Sequence, residues 1–263
     1  MRWPPMTIHS LRNAVRDFLR RDYIGDVAKL NGALARAGHS SAGLESAPPS
    51  VLTGNPFALS PGSCVAIFGL NPKWHDKARA EADLLRSEIA REAFAAHEAR
   101  RAAYFLDRSQ EYYGRYFTRL GNLIRNSPLE INAPDARSLF REHAFKLDLL
   151  PWWSVDTSHI EPSNLTSNIA PLYAWREIVG QFIMTLRPQI ILVNGIGFRP
   201  FAEAILDVDL SQFVYGSNRN AFFGVSGYDG TPVLVHGQVN SINGPGTDLL
   251  YRDLIQSWRA LRR

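Results

Sequence analysis

The stretch that decides the fold is Val65-Ala66-Ile67-Phe68, an apolar run that stops at once in the polar loop Gly69-Leu70-Asn71-Pro72. An apolar run of this length without polar alternation is typical of a strand buried on both faces. A glycine and an Asn-Pro pair directly after it favour a tight turn. We therefore predict a buried strand that leaves its sheet into a loop able to carry chemistry.

Three more runs that read as strands end in the same way, at polar or proline residues. They are Ala144 to Leu150 before Pro151, Ile190 to Val193 before Asn194-Gly195, and Pro232 to Val235 before His236-Gly237. Helical periodicity marks residues 175–186, 201–206 and 248–261. Short apolar strands that alternate with helices predict a parallel sheet covered on both faces. The expected fold is α/β, a three-layer α/β/α sandwich with a central, mainly parallel four-stranded sheet.

Two further helical regions flank the first strand. Apolar positions at helical spacing in residues 6–37 predict two short helices, and residues 76–126 form a charged helical pattern broken at Tyr112 to Phe117. We expect residues 1–60 to be a helical extension packed on the core. Residues 61–263 are then an α/β domain with a helical insertion at 76–126.

The composition is that of a globular protein. Of 263 residues, 45% are hydrophobic and 21% are charged. The single cysteine, Cys64, adjoins the first apolar run, so the chain can build neither a disulfide framework nor a cysteine metal site. There is no apolar segment of transmembrane length and no signal-peptide core. The expectation is a cytoplasmic protein without a membrane segment or a metal.

Arginine and aromatic residues alternate between Arg100 and Arg125, although the net charge of +4 is only mildly basic. Guanidinium groups pair with phosphate oxygens, and aromatic rings stack on bases. This composition favours a nucleic-acid partner. For any single arginine, the alternative is a solvated helix face with acidic partners.

Polar residues follow all four predicted strands. Because the carboxyl ends of parallel strands meet at one edge of the sheet, we expect Asn71, Asp148, Asn194 and His236 to converge. Each has a structural alternative, since an Asn before proline is a common turn residue and a lone histidine is often only a hydrogen-bonding group.

Common catalytic motifs do not match. Gly195-Ile196-Gly197-Phe198-Arg199-Pro200 has a proline where a dinucleotide loop needs its third glycine. The chain has no Gly-Lys-Ser/Thr phosphate loop, no Gly-x-Ser-x-Gly elbow and no closely spaced set of metal ligands. We therefore expect no cofactor.

The motifs resemble those of the uracil-DNA glycosylase superfamily. Gly69-Leu70-Asn71-Pro72 is similar to its first motif, and Val233-Leu234-Val235-His236 is similar to its last strand and histidine. Leu186 to Gly195 resembles its proline, apolar strand and glycine. Asp148-Leu149-Leu150-Pro151 has the spacing of the middle motif of the single-strand-selective branch, in which an asparagine stands first. The resemblance covers residues 60–261 and implies that superfamily's α/β fold.

The resemblance also implies roles for individual residues. Asn71 would hold the water that attacks the sugar C1′, and His236 would stabilise the departing base. An extruded base would be read or stacked by Asp148, Asn194, Tyr116, Phe117 and Trp74, with Tyr113 a further aromatic candidate. DNA contacts would come from Lys73, Arg115, Arg119, Gln238, Asn240 and Ser241, with Ile242 as a wedge that fills the gap in the stack.

Three departures from the family bear on the substrate. Gly237-Gln238 replaces proline and serine, Lys73-Trp74 replaces small residues, and Asp148 stands where an asparagine reads uracil. An ionised aspartate can only accept hydrogen bonds, so it suits the exocyclic amine of a cytosine-type base. A protonated Asp148 can donate as well, which keeps uracil open.

The resemblance therefore predicts a DNA glycosylase that acts on uracil or a modified base in single- or double-stranded DNA, for DNA repair or for defence against foreign DNA such as phage. It implies no metal and no obligate protein partner. Two other functions remain open. One is a catalytically silent nucleic-acid-binding protein with the same cleft, and the other is an α/β hydrolase of free nucleosides.

Overall fold

A six-stranded mixed sheet forms the centre of the protein. The computed structural model describes residues 4–39, 43–71, 114–129, 131–166, 168–242 and 244–261. The strands are β1 (Val65–Gly69), β2 (Ala144–Asp148), β3 (Ile190–Asn194), β4 (Ser211–Tyr215), β5 (Arg219–Val225) and β6 (Pro232–His236), and their order in the sheet is β2-β1-β3-β6-β5-β4. The α/β class is thus confirmed.

Four neighbouring strands of this sheet are parallel. Strand β1 pairs with β2 on one side and with β3 on the other, and β3 pairs with β6. All residues of β3 and β6 are buried, because helices cover both faces. Strand β2 ends at Asp148, two residues earlier than the apolar run suggests, although Leu149 and Leu150 still donate backbone hydrogen bonds to Gly69 and Leu70.

The prediction of a four-stranded sheet was wrong. Strands β4 and β5 form an antiparallel hairpin that extends the sheet beyond β6. The hairpin lacks an all-apolar run because β4 lies at the edge, where buried Phe213 and Tyr215 alternate with exposed residues.

Four helices cover one face of the sheet. They are α1 (Ile8–Leu19), α2 (Tyr23–Leu34), α5 (Ala170–Leu186) and α6 (Arg199–Leu206). Their apolar side chains form one core with alternate strand residues such as Phe68, Phe145 and Val193. Thr7 and Asp22 cap the N-termini of α1 and α2, because their side-chain oxygens accept hydrogen bonds from the backbone amides of Ser10 and Gly25.

Three helices cover the opposite face. They are α3 (Gly114–Arg125), α4 (Ala136–Glu142) and α7 (Asp248–Ala260), and they pack on Val65, Ile67, Leu192 and Leu234. The predicted break of the helical pattern up to Phe117 was wrong, because α3 begins at Gly114 and buries Phe117, Leu120 and Ile124 on one side. The predicted insertion from residue 76 to 113 lies outside the described residues. No helix in the described ranges is long and apolar enough to cross a bilayer.

The first prediction concerns the attachment of α1 to the core. The ring of Phe18, 5% exposed, lies 6.2 Å from the Trp152 ring and 5.4 Å from the Trp175 ring. We expect Phe18→Ala to lower the free energy of unfolding by about 3–5 kcal/mol, because it leaves a cavity between two tryptophans. Urea unfolding followed by circular dichroism measures the change.

The matched control is Ile24→Ala on α2. Ile24 is 58% exposed, so its loss should change stability by no more than about 0.5 kcal/mol. Equal effects of the two substitutions would mean that α1 contributes nothing specific to the core.

Candidate functional site

Strand register brings the side chains of Asp148, Asn194 and His236 to one edge and one face of the sheet. Gly69 pairs with Asp148, and Asn194 pairs with His236. Side chains two residues apart on a strand share a face. All four positions therefore face the α3 and α7 side, as do Ile67 and Leu192, which lie two residues before Gly69 and Asn194.

His236 is fully buried at the end of β6. Its Nδ1 lies 2.8 Å from the backbone oxygen of Gly237. Because a carbonyl oxygen can only accept, Nδ1 carries the ring proton and Nε2 presents a lone pair. Nε2 is buried and has no hydrogen-bond partner among the described residues. The ring of Tyr251 on α7 stands edge-on to the imidazole, with 5.7 Å between the ring centroids.

Burial decides the charge of this histidine. It lowers the pKa of His236 from its ordinary value of 6.5 to about 4. The imidazole is therefore neutral near pH 7 and offers an acceptor rather than a donor. This state differs from the charge-stabilising role that the family resemblance implies.

Asp148 forms a nearly buried ion pair. Its Oδ1 lies 2.7 Å from the Nζ of Lys146, and the two side chains are 9% and 15% exposed. The carboxylate leans over β1, since a Cβ on Gly69 would come within 2.5 Å of Asp148 Oδ1. Gly69 is thus required for this position of the carboxylate. Among the described residues, Oδ2 accepts no hydrogen bond.

Asn194 connects three parts of the chain. Its Nδ2 donates to the hydroxyl oxygen of Tyr116 on α3 at 2.8 Å, and its Oδ1 accepts from the backbone amide of Val239 at 3.1 Å. Burial raises the pKa of Tyr116, and the negative charge of Asp148 raises it further, so the hydroxyl stays protonated. Asn194 thus holds β3, α3 and the loop after β6 together.

Asn71 lies two residues beyond β1 and is half-buried. Its Nδ2 donates to the backbone oxygen of Trp152 at 3.2 Å and to Ser154 Oγ at 2.6 Å. These bonds fix the amide and leave its Oδ1 without a partner among the described residues. No described hydrogen bond joins Asn71 to His236.

The loop after β6 carries the predicted DNA contacts. Gln238, Asn240, Ser241 and Ile242 are all exposed, and the Ile242 side chain is 89% exposed. Arg119 on α3 donates to the backbone oxygen of Gly246 at 2.8 Å and to Asn240 Oδ1 at 3.3 Å. Arg119 is thus held against the loop.

Phe117 is not placed to stack on a base. It is 6% exposed, and its ring meets that of Phe140 edge-on at 5.0 Å inside the core. Tyr116 is the residue of α3 that reaches the strand ends. Lys73, Trp74 and Tyr113 lie outside the described residues, as does the side chain of Arg115.

Sequence analysis missed two side chains of the site. Lys146 was visible as a cation two residues before Asp148 in a strand whose other residues are apolar, which is a signal for a buried ion pair. Tyr251 gave no signal, because it repeats with the core residues of α7 at helical spacing.

The described residues contain no group of three or more His, Cys, Asp or Glu side chains that could hold a metal ion. Comparison with known protein families and with characterised proteins finds no match to this chain.

The second prediction follows from the buried, neutral His236. Its folded pKa of about 4 lies below the ordinary 6.5 of the unfolded chain, so the folded state binds fewer protons between these values. The free energy of unfolding should fall as the pH falls from 6.5 to 4, by at most about 1.4 kcal/mol per pH unit from this group.

His236→Gln removes that contribution and should flatten the pH dependence, measured by urea unfolding at several pH values. His9→Gln is the control, because His9 is exposed and its loss should leave the slope unchanged. An unchanged slope in His236→Gln would contradict the burial of a neutral imidazole.

Proposed function

We propose that this protein is a cofactor-independent DNA glycosylase-like hydrolase that cleaves the N-glycosidic bond of an extruded base, with a cytosine-type base favoured over uracil. The observation that carries the proposal is the carboxyl edge of the parallel strands. It holds a buried histidine whose Nε2 has no partner among the described residues, a carboxylate leaning over a glycine, and an asparagine fixed just beyond β1.

The distance between strands β1 and β6 is comparable with the size of a base. Neighbouring strands lie about 4.8 Å apart, so β1 and β6, with β3 between them, are about 10 Å apart. The Asp148 carboxylate lies over β1 and His236 ends β6. We propose that a single planar base binds between them.

The polarity of the two flanking groups favours an amino-bearing base. The Asp148 carboxylate and the neutral His236 Nε2 are both acceptors, so each is suited to an N–H of the base edge. The ion pair with Lys146 fixes Oδ1 of the Asp148 carboxylate at this edge. Lys146 also provides a positive charge at this edge, where a departing base gains negative charge.

Asn71 is suited to hold the water that attacks the sugar C1′. Its Oδ1, which has no partner among the described residues, can accept a hydrogen bond from the attacking water while its amide nitrogen donates to Trp152 and Ser154. The water oxygen forms a bond to C1′, the C1′–N bond breaks with its electron pair moving to the base, and a proton from the water ends on the base nitrogen.

One feature supports a uracil-DNA glycosylase-like fold, and another supports DNA as the partner. The four parallel strands, with helices on both faces, are consistent with the uracil-DNA glycosylase-like core, to which the β4–β5 hairpin is an addition. The exposed Ile242 and the arginine beside it suit DNA, where an aliphatic wedge fills the space left by an extruded base.

A catalytically silent nucleic-acid-binding protein is the second candidate. It is favoured by the tautomer of His236, which has no proton to donate toward a departing base. Binding of DNA without release of any base would support this function.

The third prediction tests catalysis. Oligonucleotides that carry uracil, modified cytosines or damaged bases, both single- and double-stranded, are incubated with the protein, and released base is detected by mass spectrometry. We expect one class of base to be released, with a loss of roughly 100-fold or more in Asn71→Ala and in His236→Ala. Free nucleosides are included to test the nucleosidase alternative.

Asn13→Ala is the matched control, because the Asn13 side chain lies on α1 and contacts His9, far along the chain from this edge. Full activity of Asn71→Ala would remove Asn71 from the mechanism. Binding without release across the panel would leave the silent protein as the function.

The fourth prediction concerns the base. Asp148→Asn keeps the side-chain shape but adds a donor, so release of uracil should rise relative to release of cytosine-type bases by roughly tenfold or more. Asp17→Asn, an exposed carboxylate on α1, is the control. An unchanged preference in Asp148→Asn would mean that Asp148 serves only its ion pair.

A further inference from the structure

The loop after β2, residues 149–161, holds the Asn71 side chain by two hydrogen bonds. Asn71 Nδ2 donates to the backbone oxygen of Trp152 and to Ser154 Oγ, at 3.2 and 2.6 Å. A carbonyl oxygen cannot donate, so a half-turn of the amide would place Asn71 Oδ1 against the Trp152 oxygen, where two acceptors repel each other. The two bonds therefore decide the direction in which Oδ1 points.

Ser154 contributes a buried hydroxyl group to this arrangement. The residue is 3% exposed, and a buried hydroxyl without a partner is destabilising. In the described part of the chain, the hydrogen bond with Asn71 is the only one that Ser154 Oγ makes. An alanine would suffice if the position only filled space, so we assign the hydroxyl to Asn71.

A segment of the N-terminal extension, residues 43–50, runs along the loop and fixes the backbone of Ser154. Leu44 and Ser154 are partners in an antiparallel β-bridge. Next to this bridge, the backbone amide of Glu45 donates to the backbone oxygen of Trp153 at 2.8 Å. The position of Ser154 therefore depends on the extension as well as on the sheet.

Asn31 of α2 holds the same segment from the other side. Its Nδ2 donates to the backbone oxygen of Leu44 at 2.9 Å, and its Oδ1 accepts from the backbone amide of Leu44 at 3.0 Å. The neighbouring residues Leu30 and Leu34 are fully buried in the core, which fixes this part of α2. One side chain thus satisfies both backbone groups of Leu44, and a continuous series of contacts leads from Asn31 through Leu44 and Ser154 to Asn71.

We propose that Ser154 is a positioning residue for Asn71, and that Asn31, acting through Leu44, makes the N-terminal extension part of the same site. The proposal rests on the proposed function and deepens it. An acceptor that directs an attacking water needs a fixed orientation, since a displacement of about 1 Å can lower a rate roughly 100-fold. The family resemblance covers only residues 60–261, so this support for Asn71 comes from outside it.

The test separates kcat from KM for the base that the protein releases. Ser154→Ala and Asn31→Ala should each lower kcat by roughly tenfold and leave KM unchanged, because they disturb the orientation of Asn71 and not the groups that read the base. Ser154→Thr keeps a hydroxyl on the same Cβ and should recover part of kcat.

Ser158→Ala is the matched control. Ser158 is exposed on the same loop, and its Oγ donates to Asp156 Oδ2 at 2.6 Å. Its kcat should equal that of the wild type. The proposal is overturned if Asn31→Ala and Ser154→Ala both keep the wild-type kcat, or if they raise KM alone.

A second readout does not require catalysis. The side-chain amide of Asn71 gives a pair of proton signals in a ¹H–¹⁵N correlation spectrum, which are identified by their loss in Asn71→Ala. Because both protons are donated, they should exchange slowly with water in the wild type. Ser154→Ala and Asn31→Ala should each speed this exchange roughly tenfold or more, whereas Ser158→Ala should not.

The two readouts distinguish failure of this proposal from failure of the proposed function. Faster exchange in both variants, with no base released by the wild type, would refute the glycosylase and retain the positioning of Asn71. Base release with unchanged exchange and unchanged kcat in Asn31→Ala would refute the positioning and retain the glycosylase. Asn31→Ala also covers the case in which Ser154→Ala fails to fold, since Asn31 is only half-buried.

Discussion

The hydrogen-bonded ladder of four parallel strands is the constraint on which the rest of the structure depends. Because β2, β1, β3 and β6 run the same way in register, their last residues end at one edge and, by the two-residue alternation of side chains, on one face. Asp148, Asn194 and His236 lie at the same edge and on the same face only because of that register. A slip of one residue in any strand would turn its polar side chain toward the α1 and α5 core.

Keeping these polar groups in a dry environment costs stability. His236 Nε2 has no described partner, and the Asp148–Lys146 pair is nearly buried. Buried ion pairs seldom stabilise more than a well-packed apolar pair, and an unpartnered buried acceptor is destabilising. The large apolar cores on both faces of the sheet offset this cost. Such an arrangement is expected where a ligand completes the hydrogen bonds.

The predictable parts of the structure are those encoded by local patterns. All four apolar runs are strands, and the periodic segments at both ends of the chain are helices. The β4–β5 hairpin was missed because an edge strand exposes every second residue and therefore lacks the continuous apolar run of a central strand. Phe117 was assigned to the site because its aromatic type is equally suited to a core, and only packing against Phe140 decides between them.

The sequence was enough to predict the α/β class, the order of the four parallel strands along the chain and the identity of the polar residues at their ends. These depend on short-range periodicity and on turn residues, which act within a few positions. Tertiary structure alone decided that His236 is neutral with a buried lone pair on Nε2, and that Asp148 pairs with Lys146 over Gly69. Charge state, tautomer and loop shape depend on burial and on partners distant in the chain, and no local pattern encodes either.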